Sequence, residues 1–236
     1  MKREHFEALQ TARAKKVPLV VVTEIKTGKQ ALVNYKDVKG DLAPSADLAA
    51  KARQALKDDL GGMVEGPDGM YFLHVYNPPP RVILVGAVHI SQPLAQMAAL
   101  TGYGVTIVDP RRAFASEDRF PGLEVTTDWP DEALERLAPD TRTAVIMLTH
   151  DPKIDDPALE VALKSPAFYV GALGSKKTHA KRVVRLKEMG FDDAAINRIR
   201  APVGIEIEAR SPAEIAVSIM AEVTAIRRGH ITGAGP

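Results

Sequence analysis

Beyond Pro80 the chain alternates between short, continuous apolar runs and longer segments whose apolar positions recur at helical spacing. The clearest example is RVILVGAVHISQPLAQMAALTGYGVTIVD, from Arg81 to Asp109. Val82 to Val85 form an unbroken apolar run, which suits a strand covered on both faces. Leu94, Met97, Ala98 and Thr101 follow at helical spacing around a proline placed for a first helical turn, and a second apolar run ends in Asp109. The pattern predicts a strand, a helix and a parallel strand, with Gly86 at the tight turn between the first two. The alternation continues with a short strand near Val125, a helix from Asp131 to Leu137, a strand from Ala144 to Leu148, a helix seeded at Asp156-Pro157 and a strand from Phe168 to Leu173. Ser211-Pro212-Ala213-Glu214 opens a final helix with Ser211 as its cap and Glu214 as the reciprocal capping partner, which makes Glu214 structural rather than catalytic.

Residues 1–76 carry a different pattern. A first helix bearing Phe6 and Leu9 is expected, then strands near Leu19 to Glu24 and Gln30 to Val33, a helix from Ala46 to Leu60 and a strand from Tyr71 to Tyr76. A glycine-rich loop, GGMVEGPDG, precedes that last strand, and its Pro67-Asp68-Gly69 is an ordinary turn sequence. Asn77-Pro78-Pro79-Pro80 can continue neither a ladder nor a helix and reads as a stiff connector. The expected fold is α/β: a Rossmann-like parallel-sheet domain over residues 81–230, preceded by a small α+β N-terminal domain over 1–76 and a proline linker over 77–80.

Composition narrows the chemistry. At 236 residues the chain is long enough for two unequal domains, and 45% hydrophobic and 26% charged residues are ordinary for a globular protein. A formal net charge of +1 gives no reason to expect nucleic acid as a partner. The absence of cysteine excludes disulfides, thiolate metal sites and cysteine nucleophiles within this chain. No apolar run approaches the length that spans a bilayer, so neither a membrane partner nor a membrane anchor is expected, and a cytoplasmic location is the default expectation.

In an open parallel sheet, ligands bind beyond the carboxyl ends of the strands, so the polar residues after each apolar run are the candidates. They are His89 beyond Gly86; Asp109 with Arg111 and Arg112; Thr149, His150 and Asp151; and Gly174, Ser175, Lys176, Lys177 and His179. Asp109 lies 23 residues after Gly86, near the spacing at which an acid bonds a ribose hydroxyl in dinucleotide-binding folds. The glycine fingerprint is broken, however, with Val88 and Ser91 in place of its second and third glycines, which argues against NAD bound in the usual pose. Gly174-Ser175-Lys176 joins a glycine turn, a hydroxyl and a cation at a helix start and looks built for an anion such as phosphate. Lys177, Lys181 and Arg185 recur every fourth residue beyond it, and Lys181 and Arg185 read as solvated surface. No paired-histidine metal spacing, no G-x-S-x-G elbow and no paired carboxylates are present, so no catalytic or metal-ligating residue is assigned, and binding explains the inventory better than turnover. An NAD(P)-linked oxidoreductase is the alternative on the same fold.

From about Asn77 to Gly229 the strings GAVHISQPLA, VTIVDPRRAF, LTHDPKIDDPAL, YVGALGSKKTHAKR and PVGIEIEARSPAEIAVSIMAE resemble the XdhC/CoxI family of molybdenum-enzyme maturation proteins. The resemblance implies a chaperone that holds the molybdenum cofactor (molybdopterin), assists its sulfuration by a partner cysteine desulfurase and delivers it to a xanthine dehydrogenase-type molybdenum hydroxylase; it also implies a homodimer. Carried onto this chain, it makes Gly86, His89, Asp109, Thr149, His150, Asp151, Gly174, Ser175 and Lys176 the cofactor-binding candidates. Two departures stand out. Where family members have a cysteine-bearing glycine loop, this chain has Gly61-Gly62-Met63-Val64-Glu65, and Glu206 and Glu208 replace a family aspartate and glycine in IEIEARS.

Overall fold

A computed structural model describes residues 2–230. The chain divides between Pro78 and Pro79 into two compact units.

The C-terminal unit is built on a parallel sheet. Its strands are β6 (Arg81–Val85), β7 (Gly104–Val108), β8 (Glu124–Thr126), β9 (Thr143–Met147), β10 (Tyr169–Ala172) and β11 (Ile199–Arg200), in the order β11-β10-β9-β6-β7-β8. Every pair is parallel, with Val85 beside both Val108 and Met147. Helices α3 (Ser91–Leu100) and α8 (Pro212–Arg227) cover one face; α4 (Pro130–Leu137), α5 (Pro152–Lys164), α6 (Lys176–Glu188) and the short α7 (Asp193–Ile196) cover the other. The unbroken apolar run of β6 follows from this sandwich, because Val82 and Leu84 pack on the α3/α8 side while Ile83 and Val85 pack on the opposite side. The chain leaves β6 toward β7 on one side and returns at β9 on the other, so the reversal of strand order, where a crevice forms in such sheets, falls between β6 and β9.

On the α3/α8 side, Tyr169 of β10 is buried and donates its hydroxyl to Glu222 of α8 at 2.6 Å, and the same carboxylate oxygen accepts the Gly204 N–H at 2.9 Å. Burial, and then the Glu222 charge, push the Tyr169 phenol well above its ordinary range. The ring lies over Gly171, where a Cβ would come within 2.6 Å of its Cε1. Gly171 therefore belongs to the strand and makes room for an aromatic ring; the turn beyond it starts at Gly174. Ser211 caps α8 and forms the full capping box with Glu214, as the sequence predicts.

The N-terminal unit has an antiparallel sheet ordered β3-β2-β1-β5-β4, from β1 (Leu19–Glu24), β2 (Gln30–Val33), β3 (Val38–Gly40), β4 (Gly62–Gly66) and β5 (Gly69–Tyr76). Helix α2 (Ala46–Asp58) packs on Val20, Val22, Ala31 and Val33 of one face, and α1 (Arg3–Ala14) packs on Leu19, Val21 and Leu32 of the other. Helix α1 forms as expected, and two expectations, at the glycine loop and at the end of α2, change. Helix α1 buries His5 and Leu9 while Phe6 stays exposed. Much of the expected glycine loop is strand β4, paired with β5 across the Pro67-Asp68 turn. Helix α2 ends at Asp58, with Asp59 in a left-handed conformation. Asn77 is held within this unit, its amide donating to Leu56 and Asp59.

Candidate functional site

The loops at the carboxyl edge of the parallel sheet differ in what their polar groups do. The turn after β6 is closed on itself. Gly86 adopts φ +111°, a region that favours glycine, and a Cβ there would meet Thr149 Cγ2 at 2.5 Å, so the β6 and β9 loops touch across the strand-order reversal. The next N–H, that of Ala87, is donated to Asp109 Oδ2 at 2.7 Å, and that of Val88 to the Ser91 hydroxyl at 3.3 Å. Ser91 in turn donates to the Gly86 carbonyl, and Arg119 donates to the Ala87 carbonyl at 2.6 Å. The substituted third glycine has thus become a serine that bonds the turn from inside.

Asp109 has no exposed surface. Its carboxylate accepts the Arg111 backbone N–H, Nε and Nη2 at 2.7–2.9 Å in addition to the Ala87 N–H. Burial alone would raise its pKa, but the hydrogen bonds from Arg111 and Ala87 outweigh burial and hold the carboxyl below its usual range. The acid at the position of a ribose ligand is therefore a structural clamp between the β6 and β7 loops.

After β9, Thr149 donates to Asp155 Oδ1 at 2.7 Å and accepts the Asp151 N–H at 3.1 Å. Asp151 caps α5, accepting the Lys153 N–H at 3.0 Å, so α5 starts at Pro152 rather than at the expected Asp156-Pro157, and Pro157 lies inside the helix. Between Thr149 and Asp151, His150 is exposed and takes the left-handed conformation at φ +62°, which is uncommon outside glycine. After β10, Gly174 turns at φ +136° beside Thr178 and His150, and Ser175 caps α6, its hydroxyl accepting the Thr178 N–H at 3.2 Å.

The start of α5, His150 and one face of α6 enclose a cavity of about 230 Å³, lined by His150, Asp155, Lys177, Lys181, Arg182 and Arg185 together with Pro152 and Thr178. Arg182 is 2% exposed, and although Nη2 donates to the Leu173 carbonyl at 3.0 Å, its Nε and Nη1 have no hydrogen-bond partner among the described residues. Burial lowers its pKa, against the pull of Asp155 and Asp156. Asp155 is also 2% exposed with Oδ2 unpartnered among the described residues, and burial raises its pKa against the effects of Thr149 and Arg182. Arg185 is not a solvated stripe residue: it grips both oxygens of Asp156 on α5, with Nη2 at 3.0 Å from Oδ1. Lys181 is exposed, as expected, and also borders the cavity.

The candidates thus separate. Of the cofactor-binding candidates His150 alone lines the cavity, with Gly174 beside it; Gly86, Thr149, Asp109, Asp151 and Ser175 fix loop and helix starts; His89 and Lys176 are exposed, and neither lines the cavity. Sequence reasoning left out Arg182 and Asp155. The available signal was that Arg182, four residues before buried Leu186 and next to Val183, occupies a core position of α6, where an arginine calls for a partner. In the loop after β11, Glu208 holds φ +56°, a conformation that favours glycine, with its N–H bonded to Glu206 Oε1. Among the described residues, no cluster of three or more histidines, aspartates or glutamates could hold a metal ion, and no helix is long and apolar enough to cross a membrane.

Residues 82–223 match the family described as the XdhC Rossmann domain. The chain is 36% identical over 152 residues to the molybdenum cofactor insertion chaperone PaoD of Escherichia coli (strain K12), covering 64% of this chain and 42% of that protein. It is 32% identical over 158 residues to a probable xanthine dehydrogenase subunit of Bacillus subtilis (strain 168), covering 66% of this chain and 46% of that protein. The chain thus spans less than half the length of these curated relatives. A crystal structure of a xanthine dehydrogenase from Bacillus halodurans shares the fold, with a TM-score of 0.73 at 24% identity over 99% of this chain and 67% of that one.

Proposed function

Because this chain belongs to the XdhC Rossmann-domain family, we propose that it binds the molybdenum cofactor as cargo and assists its insertion into a molybdenum enzyme. The observation that carries the reading is the contrast along the sheet edge. The β6 turn has its Ala87 and Val88 N–H groups already taken, whereas the β9 loop and α6 border a cationic cavity with a buried arginine that has one of its three nitrogens bonded among the described residues. The first closes the usual berth of a dinucleotide pyrophosphate, and the second suits an anionic cargo. The described residues fit such cargo without a metal-donating cluster among them, since the metal would stay on its pterin dithiolate.

The finer parts of the reading follow from the same premise. The client is an enzyme of the xanthine dehydrogenase type, in line with the names that the relatives carry. Sulfur for the cofactor comes from a partner cysteine desulfurase, as the family resemblance implies. The chain acts as a homodimer. Within it, His89, His150 and the Gly174 turn meet the cargo, while Gly86, Asp109, Thr149, Asp151 and Ser175 hold the loops that present them. Lys176 adds positive charge from outside the cavity.

The test is mass spectrometry and absorbance of ligand retained by natively purified protein, with light scattering for the dimer. The expected result is a pterin cofactor at one equivalent per chain and no hydride transfer from NAD(P)H. Tight NADH binding with turnover of any substrate overturns the proposal.

A further inference from the structure

We infer that the cavity between α5 and α6 is a phosphate subsite in which Arg182, Lys177 and Lys181 receive the terminal phosphate of the pterin cargo; the identity of the cargo rests on the proposed function, the anion chemistry does not. The argument starts from Arg182. A guanidinium that is 2% exposed, with two of its three nitrogens unpartnered among the described residues, is an expensive arrangement unless a ligand completes it. Asp155 does not complete it, since no ion pair joins the two and its Oδ2 is itself without a partner among the described residues.

The surroundings favour an anion over any other ligand. Lys177 and Lys181 are one helical turn apart and place two further cations on the same wall, and neither has an ion-pair partner among the described residues. Arg185 lines the cavity too, but its charge is matched by Asp156, so it braces α6 against α5 and leaves Arg182 and the two lysines for the ligand. Against these cations the wall carries one carboxylate, Asp155, whose Oδ1 is already taken by the Thr149 hydroxyl at 2.7 Å. Thr178 and His150 supply further polar groups at the mouth, and a volume of about 230 Å³ admits a phosphoryl group with water or with part of its ester.

Calorimetry and phosphorus NMR of the full chain at low salt, with inorganic phosphate and pyrophosphate as probes, test the site directly. Saturable binding is expected, weakened about tenfold to a hundredfold by Lys177→Ala or Lys181→Ala. Lys187→Ala, at the far end of α6 and paired with Asp193 at 2.8 Å, should leave it unchanged. Arg182→Lys keeps the buried charge, preserves folding better than Arg182→Ala, and should still lose binding because the ammonium reaches less far. No saturable binding, or equal losses at Lys177, Lys181 and Lys187, overturns the inference. Pterin cofactor with and without its phosphate separates this inference from the cargo reading. If phosphate binds but neither pterin does, the subsite stands and the cargo is wrong. If both pterins bind equally and Lys181→Ala changes nothing, the cargo stands and the subsite falls.

Discussion

Two glycine turns sit at the same edge of the same sheet, and they have opposite fates. Gly86 leads into a turn whose N–H groups are held by Asp109 and Ser91, whose carbonyls are held by Ser91 and Arg119, and whose flank is filled by Thr149. Gly174 leads into a helix whose first two turns direct Lys177, Lys181 and Arg182 toward a cavity. A glycine between strand and helix therefore says only that the chain bends tightly. Whether the bend receives a ligand depends on how many of its polar groups the protein has already satisfied.

The most damaging way to break the first turn is Asp109→Ala, which leaves a buried N–H and the Arg111 guanidinium without their acceptor. Unfolding in urea should show a loss of about 2–4 kcal/mol. The same clamp has a pH signature. The Asp109 carboxyl is held below its ordinary value of 3.8, so its contribution is complete above that pH and is lost as pH falls through the lower, folded value. In Asp109→Asn the acid limb of the stability curve should flatten, and an unchanged limb would remove Asp109 from the clamp.

Gly86→Ala comes next. Its new Cβ meets Thr149 Cγ2 at 2.5 Å, whereas at Gly174 the nearest atom, Thr178 Cγ2, lies at 3.0 Å. A cost of about 2–3 kcal/mol at Gly86, against about 1–2 kcal/mol at Gly174, is expected from thermal melts. Adding Thr149→Ser to Gly86→Ala should restore part of the loss, because it deletes the colliding methyl. Val88→Gly has the smallest expected effect. Removing that side chain frees no N–H, so dinucleotide affinity measured by NADH fluorescence should not change, and a clear gain would show that the valine alone blocks the berth.

The parallel sheet was legible because its information is local. Val82 to Val85 are apolar at every position since each is buried on one face or the other, and Ser211 to Glu214 complete their capping box within a single turn. The start of α5 was not. Asp151-Pro152 and Asp156-Pro157 are equally good openings by local chemistry, and the choice is made by Thr149 bonding Asp155 and by the burial of Ile154. Asp109 satisfied a spacing rule, yet an arginine two residues on closed it to ligand. The four-residue period of Lys177, Lys181 and Arg185 was visible, but not what it faced, because Asp156 arrives from another helix 29 residues away from Arg185 in sequence. Pattern reports which face a residue takes; only tertiary packing reports who stands opposite.

The Tyr169 ring over Gly171, with its hydroxyl on Glu222, also speaks to how this sequence can drift. The three positions form one packed unit: a side chain at 171 needs a smaller residue at 169, and a smaller residue at 169 takes one donor from the buried acid at 222 and leaves it the Gly204 N–H, which favours a neutral replacement. In an alignment of relatives these columns should change together rather than singly. A sequence that keeps glycine at 171 and glutamate at 222 without an aromatic hydroxyl at 169 would mark a lineage in which another donor joins the Gly204 N–H on the acid.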